Sequence, residues 1–160
     1  MSRGSVALTG FMGAGKSTIG RALAERLGVP FVDLDAVIEA AHGPIHEQFA
    51  CDGEAAFRRR EAAALAALCD GVPRVLALGG GAYVATDNRV KLRPHYLTVF
   101  LDAPLDVIEQ RVGGLSRRPL WDDAVVERFR ARRPMYAMAD LTVDATGSVD
   151  EVVARIEEAL

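Results

Sequence analysis

The stretch Gly10-Phe11-Met12-Gly13-Ala14-Gly15-Lys16-Ser17-Thr18 fits the pattern G-x-x-x-x-G-K-[ST], in which a glycine-rich loop closes its backbone N–H groups around a chain of phosphates. A short apolar run before it, Val6 to Leu8, is typical of a buried parallel strand. An apolar stripe at helical spacing follows it from Ile19 to Leu27, and Gly28 ends that helix. Because strand, loop and helix occur in the order that phosphate binding needs, we favour a nucleotide site over a ligand-free glycine turn.

The polar residues of this loop have distinct predicted roles. The Lys16 ammonium would reach the outer phosphates, and the Ser17 hydroxyl would contact Mg²⁺. The helix that follows would point its positive N-terminal end at the same anion. The predicted nucleotide contacts within the loop are Gly13, Ala14, Gly15, Lys16, Ser17 and Thr18.

Strand and helix signals alternate along most of the chain. This alternation predicts an α/β fold around a parallel sheet with right-handed crossovers, in which ligands collect at the carboxyl ends of the strands. The glycine loop, the pair Asp33 and Asp35, and the segment Gly79–Gly81 follow the first three predicted strands, so we expect them to converge. The predicted strands lie near residues 6–8, 31–32, 74–78, 96–101 and 141–143.

Length and composition limit the class of protein. The 160 residues, of which 50% are hydrophobic, suffice for one well-buried core, so we expect a single domain over residues 1–160. A net charge of −3 argues against a general nucleic-acid binder. No apolar run has membrane-spanning length, no signal-peptide pattern is present, and the two cysteines show neither metal nor redox spacing. We therefore expect a cytoplasmic protein in which Cys51 and Cys69 are buried or half-buried packing residues.

Asp33 and Asp35 stand where the second predicted strand turns into a helix. In an extended strand, residues i and i+2 share a face, and the turn lets the two carboxylates diverge within one cleft. One carboxylate would hold Mg²⁺ through water, while the other would bind or deprotonate an incoming hydroxyl. The alternative, a helix cap beside a solvated acid, is disfavoured because the pair follows a phosphate-binding loop by one strand.

Arg58 interrupts an apolar helix face. The pattern predicts a short helix over about residues 45–50 and a long helix from about Glu54 to Leu68. An arginine that points inward needs an anion, and Glu54 and Glu61 are spaced to orient it. A substrate carboxylate would complete the pairing, whereas an internal salt bridge with Glu61 alone is the alternative. The predicted inward stripe consists of Ala55, Arg58, Ala62, Leu65 and Cys69.

A second arginine breaks the apolar face of a later predicted helix. Pro134 should kink or end that helix soon after the arginine. Two arginines that break two apolar faces suggest a carboxylate-binding pocket. The stripe in question consists of Val125, Phe129, Arg132 and Tyr136.

Two glycine-rich segments complete the predicted site. Gly79–Gly81 has no side chains to offer, so we interpret it as a place for close backbone approach and N–H donors rather than as a tight turn alone. Residues 112–122 have the composition of a mobile lid, with hinge glycines and a cationic tip that includes Arg118. An arginine closing over the nucleotide would stabilise the charge of a transferring phosphoryl group. The alternative for this segment is an ordinary exposed loop.

These motifs together closely resemble those of the shikimate kinases, small members of the phosphate-binding-loop kinases. The resemblance implies a three-layer α/β fold of the nucleoside-monophosphate-kinase type, with a five-stranded parallel sheet of order 2-3-1-4-5. It runs almost from end to end and rests on Gly10 to Gly20, Asp33-Leu34-Asp35, Gly53-Glu54, Phe57-Arg58, Gly79-Gly80-Gly81, Arg118-Pro119-Leu120 and Arg132-x-Pro134-x-Tyr136.

The resemblance also implies an activity. It implies Mg²⁺-dependent transfer of the γ-phosphoryl group of ATP to the 3-hydroxyl of shikimate, on the pathway to chorismate and the aromatic amino acids. By similarity, Lys16, Asp35 and Arg118 are catalytic residues, and Ser17 and Asp33 serve Mg²⁺.

The same resemblance extends the two binding sites. Arg111 resembles an arginine beside adenine, and Arg118 resembles the lid arginine that contacts the nucleotide. The substrate-binding region would cover about residues 34–60, and the partners would be ATP and shikimate, with no nucleic acid, no membrane and a monomeric state. The implied substrate contacts are Asp35, Phe57, Arg58, Gly79, Gly80, Gly81 and Arg132.

Two other functions stay open from the sequence. A related kinase of gluconate or of a nucleoside monophosphate would share the phosphate-binding loop, although it would not be expected to combine Asp35, Phe57-Arg58 and a triple glycine in this order. A nucleotide-sensing module would keep the fold without turnover, and the intact set of polar residues in the predicted site argues against it.

Overall fold

The computed structural model describes residues 4–113 and 123–160, and its centre is a five-stranded parallel sheet of order β2-β3-β1-β4-β5. This order confirms the one implied by the family resemblance. The strand before the glycine loop lies in the middle of the sheet, so the loop leaves the sheet at its centre. The strands are β1 (Val6–Thr9), β2 (Phe31–Asp33), β3 (Val75–Ala77), β4 (Leu97–Asp102) and β5 (Leu141–Asp144).

Helices flank the sheet and give the expected three-layer α/β architecture. None of the helices in the described residues combines the length and apolar character needed to cross a bilayer. The helices are α1 (Lys16–Leu27), α2 (Leu34–His42), α3 (Ile45–Leu68), α4 (Thr86–Leu92), α5 (Leu105–Gly113), α6 (Asp123–Tyr136) and α7 (Val149–Ala159).

The core positions the glycine loop. Strands β1 and β3 are buried along their whole length, as expected for parallel strands covered on both faces. Phe11, the second residue of the loop stretch, is also buried and packs edge-on against Phe129 of α6, with ring centroids 5.3 Å apart. The loop is therefore fixed to the helix that carries Arg132.

Helix α3 is broken at Gly53. This residue adopts φ +83° and ψ 169°, a conformation that is natural for glycine and costly for other residues. The break agrees with the two helices predicted on either side of it. The predicted inward stripe is correct at Leu65, which is buried, but wrong at Ala55, which is exposed because it lies in the first turn after the break. Cys51, just before the break, is exposed as well, so it is not a packing residue.

Helix α6 ends as its sequence predicts. It runs to Tyr136, two residues past Pro134, whose missing N–H removes one bond within the ladder, and Ala137 still donates to the carbonyl oxygen of Arg133 at 3.0 Å. Val125 and Tyr136 of the predicted stripe are buried, and Phe129 packs against the core. Arg132 is half-buried, one turn before Tyr136 on the same side.

Candidate active site

The glycine loop presents a helix N-terminus suited to an anion. Gly15 takes φ +93° immediately before α1, a left-handed conformation that glycine adopts without strain. No side chain caps the N-terminus of α1, and its first turn contains no acidic residue. The backbone N–H groups of that turn thus point outward without a side-chain acceptor, and the helix dipole favours a phosphate there.

Lys16, the first residue of α1, extends its side chain back over the glycine loop. Its ammonium donates hydrogen bonds to the carbonyl oxygens of Gly10, at 2.6 Å, and Phe11, at 3.2 Å. Burial lowers the pKa of Lys16 to about 8, although the nearby carboxylates of Asp35 and Asp33 favour its charged form. A phosphate chain on the loop would supply the negative charge that this desolvated ammonium needs.

Asp33 joins the second strand to the glycine loop. Its Oδ2 accepts a hydrogen bond from the Ser17 hydroxyl at 3.0 Å. Its Oδ1 caps α2 by accepting from the backbone N–H groups of Asp35, at 3.0 Å, and Ala36, at 3.4 Å. The capping alternative is therefore correct for one oxygen, while the other contacts Ser17. A hydroxyl and a carboxylate in contact are hard oxygen ligands of the type that Mg²⁺ takes, so the pair fits that ion.

Asp35 faces a cavity of about 470 Å³ beside the loop. Burial and the neighbouring Asp33 raise the pKa of Asp35, while Lys16 and Arg58 counteract the shift. A carboxylate with a raised pKa is a better proton acceptor, which suits a group aimed at a substrate hydroxyl.

The predicted substrate residues lie around this one cavity. Met12 of the glycine loop lines it too, so the cavity borders the phosphate site. The predicted residues on its wall are Asp35, Phe57, Arg58, Gly79, Gly80, Gly81 and Arg132. The further wall residues, which the sequence interpretation did not assign to the substrate site, are Met12, Ile45, Phe49, Glu54, Glu61 and Arg128.

Arg58 is held from behind by a buried acid. Its Nη1 contacts both oxygens of Glu61, at 2.9 and 3.1 Å, and Glu61 is only 1% exposed. Glu54 lies 3.6 Å from the Arg58 Nε, and the guanidinium carbon stands 5.2 Å from the centroid of the Phe57 ring. Burial raises the pKa of Glu61, and Arg58 opposes that shift. The internal salt bridge thus exists, and it leaves 30% of the Arg58 side chain exposed on the cavity wall.

The triple glycine makes room for the polar side chains of the site. A Cβ on Gly79 would lie 2.6 Å from Oδ1 of Asp35, and a Cβ on Gly81 would lie 2.5 Å from Nη2 of Arg58. At Gly80 the nearest atom would be Nη1 of Arg132, at 3.4 Å. Each glycine therefore faces a different charged side chain of the cavity: Asp35, Arg132 or Arg58. The sequence interpretation, which considered only backbone approach, missed this reason for three glycines in a row.

Tyr136 ties α6 to the triple glycine. Its buried hydroxyl donates a hydrogen bond to the carbonyl oxygen of Gly80. Burial raises the pKa of Tyr136, and Arg132 opposes that shift. The helix that carries Arg132 is thereby attached to the segment that faces it.

Arg111 lies on the other side of the glycine loop. It donates hydrogen bonds to the carbonyl oxygens of Ala14, at 3.2 Å, and Ala145. A second cavity of about 180 Å³ adjoins it and is lined in part by Gly15, Thr18 and Gly147. The place predicted for the nucleotide base thus has a planar cation on one wall and the loop after β5 on another.

Some predicted residues lie outside the described part of the chain. Arg118 belongs to residues 114–122, and so does most of the predicted lid over 112–122. Their predicted roles rest on the sequence alone.

Comparison with known proteins gives the family. The family model described as Shikimate kinase matches residues 12–160. The shikimate kinase of Ruegeria pomeroyi is 46% identical over 98% of this chain and 84% of its own length. Crystallised shikimate kinase from Aquifex aeolicus matches with a TM-score of 0.88 and 33% identity, over 96% of this chain and 94% of that one. The shikimate kinase of Acinetobacter baumannii in complex with shikimate matches with a TM-score of 0.86 and 35% identity, over 96% of this chain and 90% of that one. The matching family model, the similar sequences and the shared fold together show that the chain belongs to the shikimate kinase family.

Proposed function

We propose that this protein transfers the γ-phosphoryl group of ATP to the 3-hydroxyl of shikimate. The observation that carries the proposal is the cavity beside the glycine loop, where the Asp35 carboxylate and the Arg58 and Arg132 guanidinium groups face a common space. A small polyhydroxy acid needs a cationic anchor for its carboxylate and an acceptor for its reacting hydroxyl. The Arg58 and Arg132 side chains supply the first, and Asp35 supplies the second.

The reaction would rely on positioning and charge. Lys16 would contact the β- and γ-phosphates, and Arg118 would add positive charge at the transferring group. Asp35 would orient the 3-hydroxyl and accept its proton as the oxygen attacks the γ-phosphorus. When bound, Mg²⁺ would neutralise phosphate charge, and Ser17 and Asp33 would hold it on the protein side. The nucleotide would lie along the loop, with Gly13, Ala14, Gly15 and Thr18 at the phosphates and Arg111 beside the base.

A coupled assay of ADP release tests the proposal. ATP and Mg²⁺ are supplied with shikimate, gluconate or AMP in separate reactions. We expect ADP release above background with shikimate alone. Release with gluconate or AMP and not with shikimate would identify a related small-molecule kinase instead, and release with none of the three would favour a nucleotide-sensing module.

The proposal includes a monomeric protein in the cytoplasm. The support is the family resemblance. Light scattering coupled to gel filtration should give a mass near 17.2 kDa. A stable mass of twice that value would contradict the monomer.

A further inference from the structure

Arg128 is a cavity-lining cation for which the proposed reaction has no use. It lies on α6 one helical turn before Arg132, which corresponds to about 6 Å along the helix axis. Its side chain lines the same cavity of about 470 Å³ and is exposed, so it lies where the cavity opens to solvent. The sequence carried a signal for it, because Arg128 stands four residues before Arg132 and therefore on the same helix face.

The three arginines of the cavity differ in their pairing. Arg58 is paired with Glu61 and Glu54. In contrast, neither Arg128 nor Arg132 forms an ion pair with a carboxylate of residues 4–113 or 123–160. All three charges oppose the rise that burial causes in the pKa of Tyr136, so they reach a common region of the wall. In the described residues, the cavity thus has one guanidinium group in direct ion pairs, that of Arg58, and two that form none.

A single substrate carboxylate does not account for both of the guanidinium groups that form no ion pair. The half-buried Arg132, which faces Gly80, is placed to contact that carboxylate together with Arg58. Arg128 is more exposed and nearer the solvent. A positive charge at the mouth of a cavity attracts an anion before any contact forms, so it acts on association rather than on the chemical step.

We propose that Arg128 is a substrate-guiding residue that draws the anionic substrate into the cavity toward Arg132. The inference rests on the proposed function, because it takes the substrate to be a carboxylate.

Steady-state kinetics of Arg128→Leu, compared with Arg130→Leu, test the inference. Arg130 is an exposed residue of the same helix that does not line the cavity, so its replacement removes the same charge from a neighbouring position. At low ionic strength we expect Arg128→Leu to lower kcat/KM for shikimate by about threefold to tenfold through KM, since the field of a whole charged cleft raises association rates by about 10- to 1000-fold and Arg128 is one charge of several. The kcat and the KM for ATP should stay at the wild-type values. The difference in kcat/KM between wild-type protein and Arg128→Leu should shrink as salt screens the charge. Arg128→Lys, which keeps the charge, should have a kcat/KM close to that of the wild type.

The outcomes separate this inference from the function on which it rests. If wild-type protein phosphorylates shikimate and Arg128→Leu keeps the wild-type kcat/KM and salt dependence, the guiding role is wrong and the function stands. The same conclusion follows if Arg130→Leu loses as much as Arg128→Leu, or if lysine at position 128 restores nothing. If wild-type protein does not act on shikimate, the proposed function itself has failed.

Discussion

Glu61 holds the Arg58 guanidinium group in place on the cavity wall. A carboxylate that is 1% exposed would be costly without a partner, and Arg58 provides that partner through two contacts to one nitrogen. The pair keeps the guanidinium on the cavity wall without rearrangement when an anion arrives. The spacing of residues 58 and 61 allowed this pair to be anticipated, but nothing in the sequence indicated that the acid would be among the most buried polar residues.

Replacement of Arg58 by alanine should separate the two binding sites. We expect the KM for shikimate to rise by at least about thirtyfold. The charge pair that is lost is the one between Arg58 and the substrate carboxylate, and truncation of one partner of such a pair costs about 2–5 kcal/mol of binding free energy. The Kd for ATP, measured by calorimetry, should stay within about twofold, because Arg58 lines the substrate cavity and not the one at Arg111. Arg59→Ala, which alters an exposed neighbour outside that cavity, is the control. Equal losses of shikimate and ATP binding would contradict this assignment.

Gly79→Ala should lower kcat by displacing Asp35. The added Cβ would lie 2.6 Å from the Asp35 Oδ1, closer than non-bonded atoms can approach. A shift of about 1 Å in a catalytic group can cost about a hundredfold in rate. Gly80→Ala is the matched control, because its Cβ would meet Nη1 of Arg132 at 3.4 Å and the backbone nitrogen of Met12 at 4.0 Å, both ordinary contact distances, and neither glycine has a positive φ. If both variants keep full kcat, close packing against Asp35 does not matter for the reaction.

Lys16 should make nucleotide binding weaken at alkaline pH. Because its folded-state pKa is about 8, the free protein loses the ammonium charge above that pH. The affinity for ATP should then fall by up to about tenfold per pH unit. The free energy of unfolding should change in the opposite direction. Between pH 8 and 10.5 the unfolded chain, in which lysine has its ordinary pKa of 10.5, binds more protons than the folded protein. Lys16 therefore makes the folded protein more stable as pH rises through that window.

Calorimetric titration of ATP between about pH 7 and pH 9.5 measures the effect, a range that spans the shifted pKa. Lys16→Arg keeps its charge throughout and should show a flat profile over the same range. A wild-type profile equally flat would mean that the ammonium does not lose its proton there.

At the level of elements, α6 and the triple glycine behave as one unit. Tyr136 bonds the Gly80 carbonyl, and Phe129 of the same helix packs on Phe11 of the glycine loop. Helix α6 therefore links the phosphate side of the site to the substrate side. Its apolar stripe was readable from the sequence because the 3.6-residue period is local. The partner of its tyrosine was not, since that contact joins residues 56 positions apart.

Tyr136→Phe should loosen this unit. Removal of the hydroxyl leaves the Gly80 carbonyl without that donor, at a cost of about 1–2 kcal/mol. We expect the KM for shikimate to rise about fivefold or more, within the range such an energy allows, with a smaller change in kcat. Tyr96→Phe is a matched control: its buried hydroxyl also donates to a carbonyl, that of Leu68, and Tyr96 does not line the cavity. The two variants should lose similar thermal stability, and a rise in KM for both would point to a general loosening instead.

Over the whole molecule, hydrophobic periodicity was enough to predict the alternation of strands and helices from the sequence. The parallel sheet follows from that alternation, whereas the order 2-3-1-4-5 came from the family resemblance, because non-local pairing leaves no local pattern. The cavity was anticipated from arginines that break apolar faces. Its other walls, built by Ile45 and Phe49 from the first half of α3, depend on where Gly53 redirects the chain.

Ligand binding should stabilise the folded protein selectively. At a concentration of about a hundred times its Kd, shikimate should add about 2.7 kcal/mol to the free energy of unfolding. For a chain of this size, that corresponds to a Tm increase of about 5–10 °C. Gluconate at the same concentration should leave Tm within about 1 °C, since stabilisation requires binding to the folded state. A scan with no shift for shikimate, or equal shifts for both acids, would contradict the proposed specificity.

The break at Gly53 divides the tasks of α3 between its two halves. The turns before it supply apolar cavity wall through Ile45 and Phe49, and the turns after it carry the Arg58–Glu61 anchor, which is rooted in the core. Because a residue with positive φ separates the two halves, mutations can change the shape of the apolar wall without moving the Arg58–Glu61 pair. We therefore expect substitutions that change the bulk of the accepted substrate to lie on the amino-terminal side of Gly53, while the carboxyl-terminal side keeps the arginine proposed to bind its carboxylate.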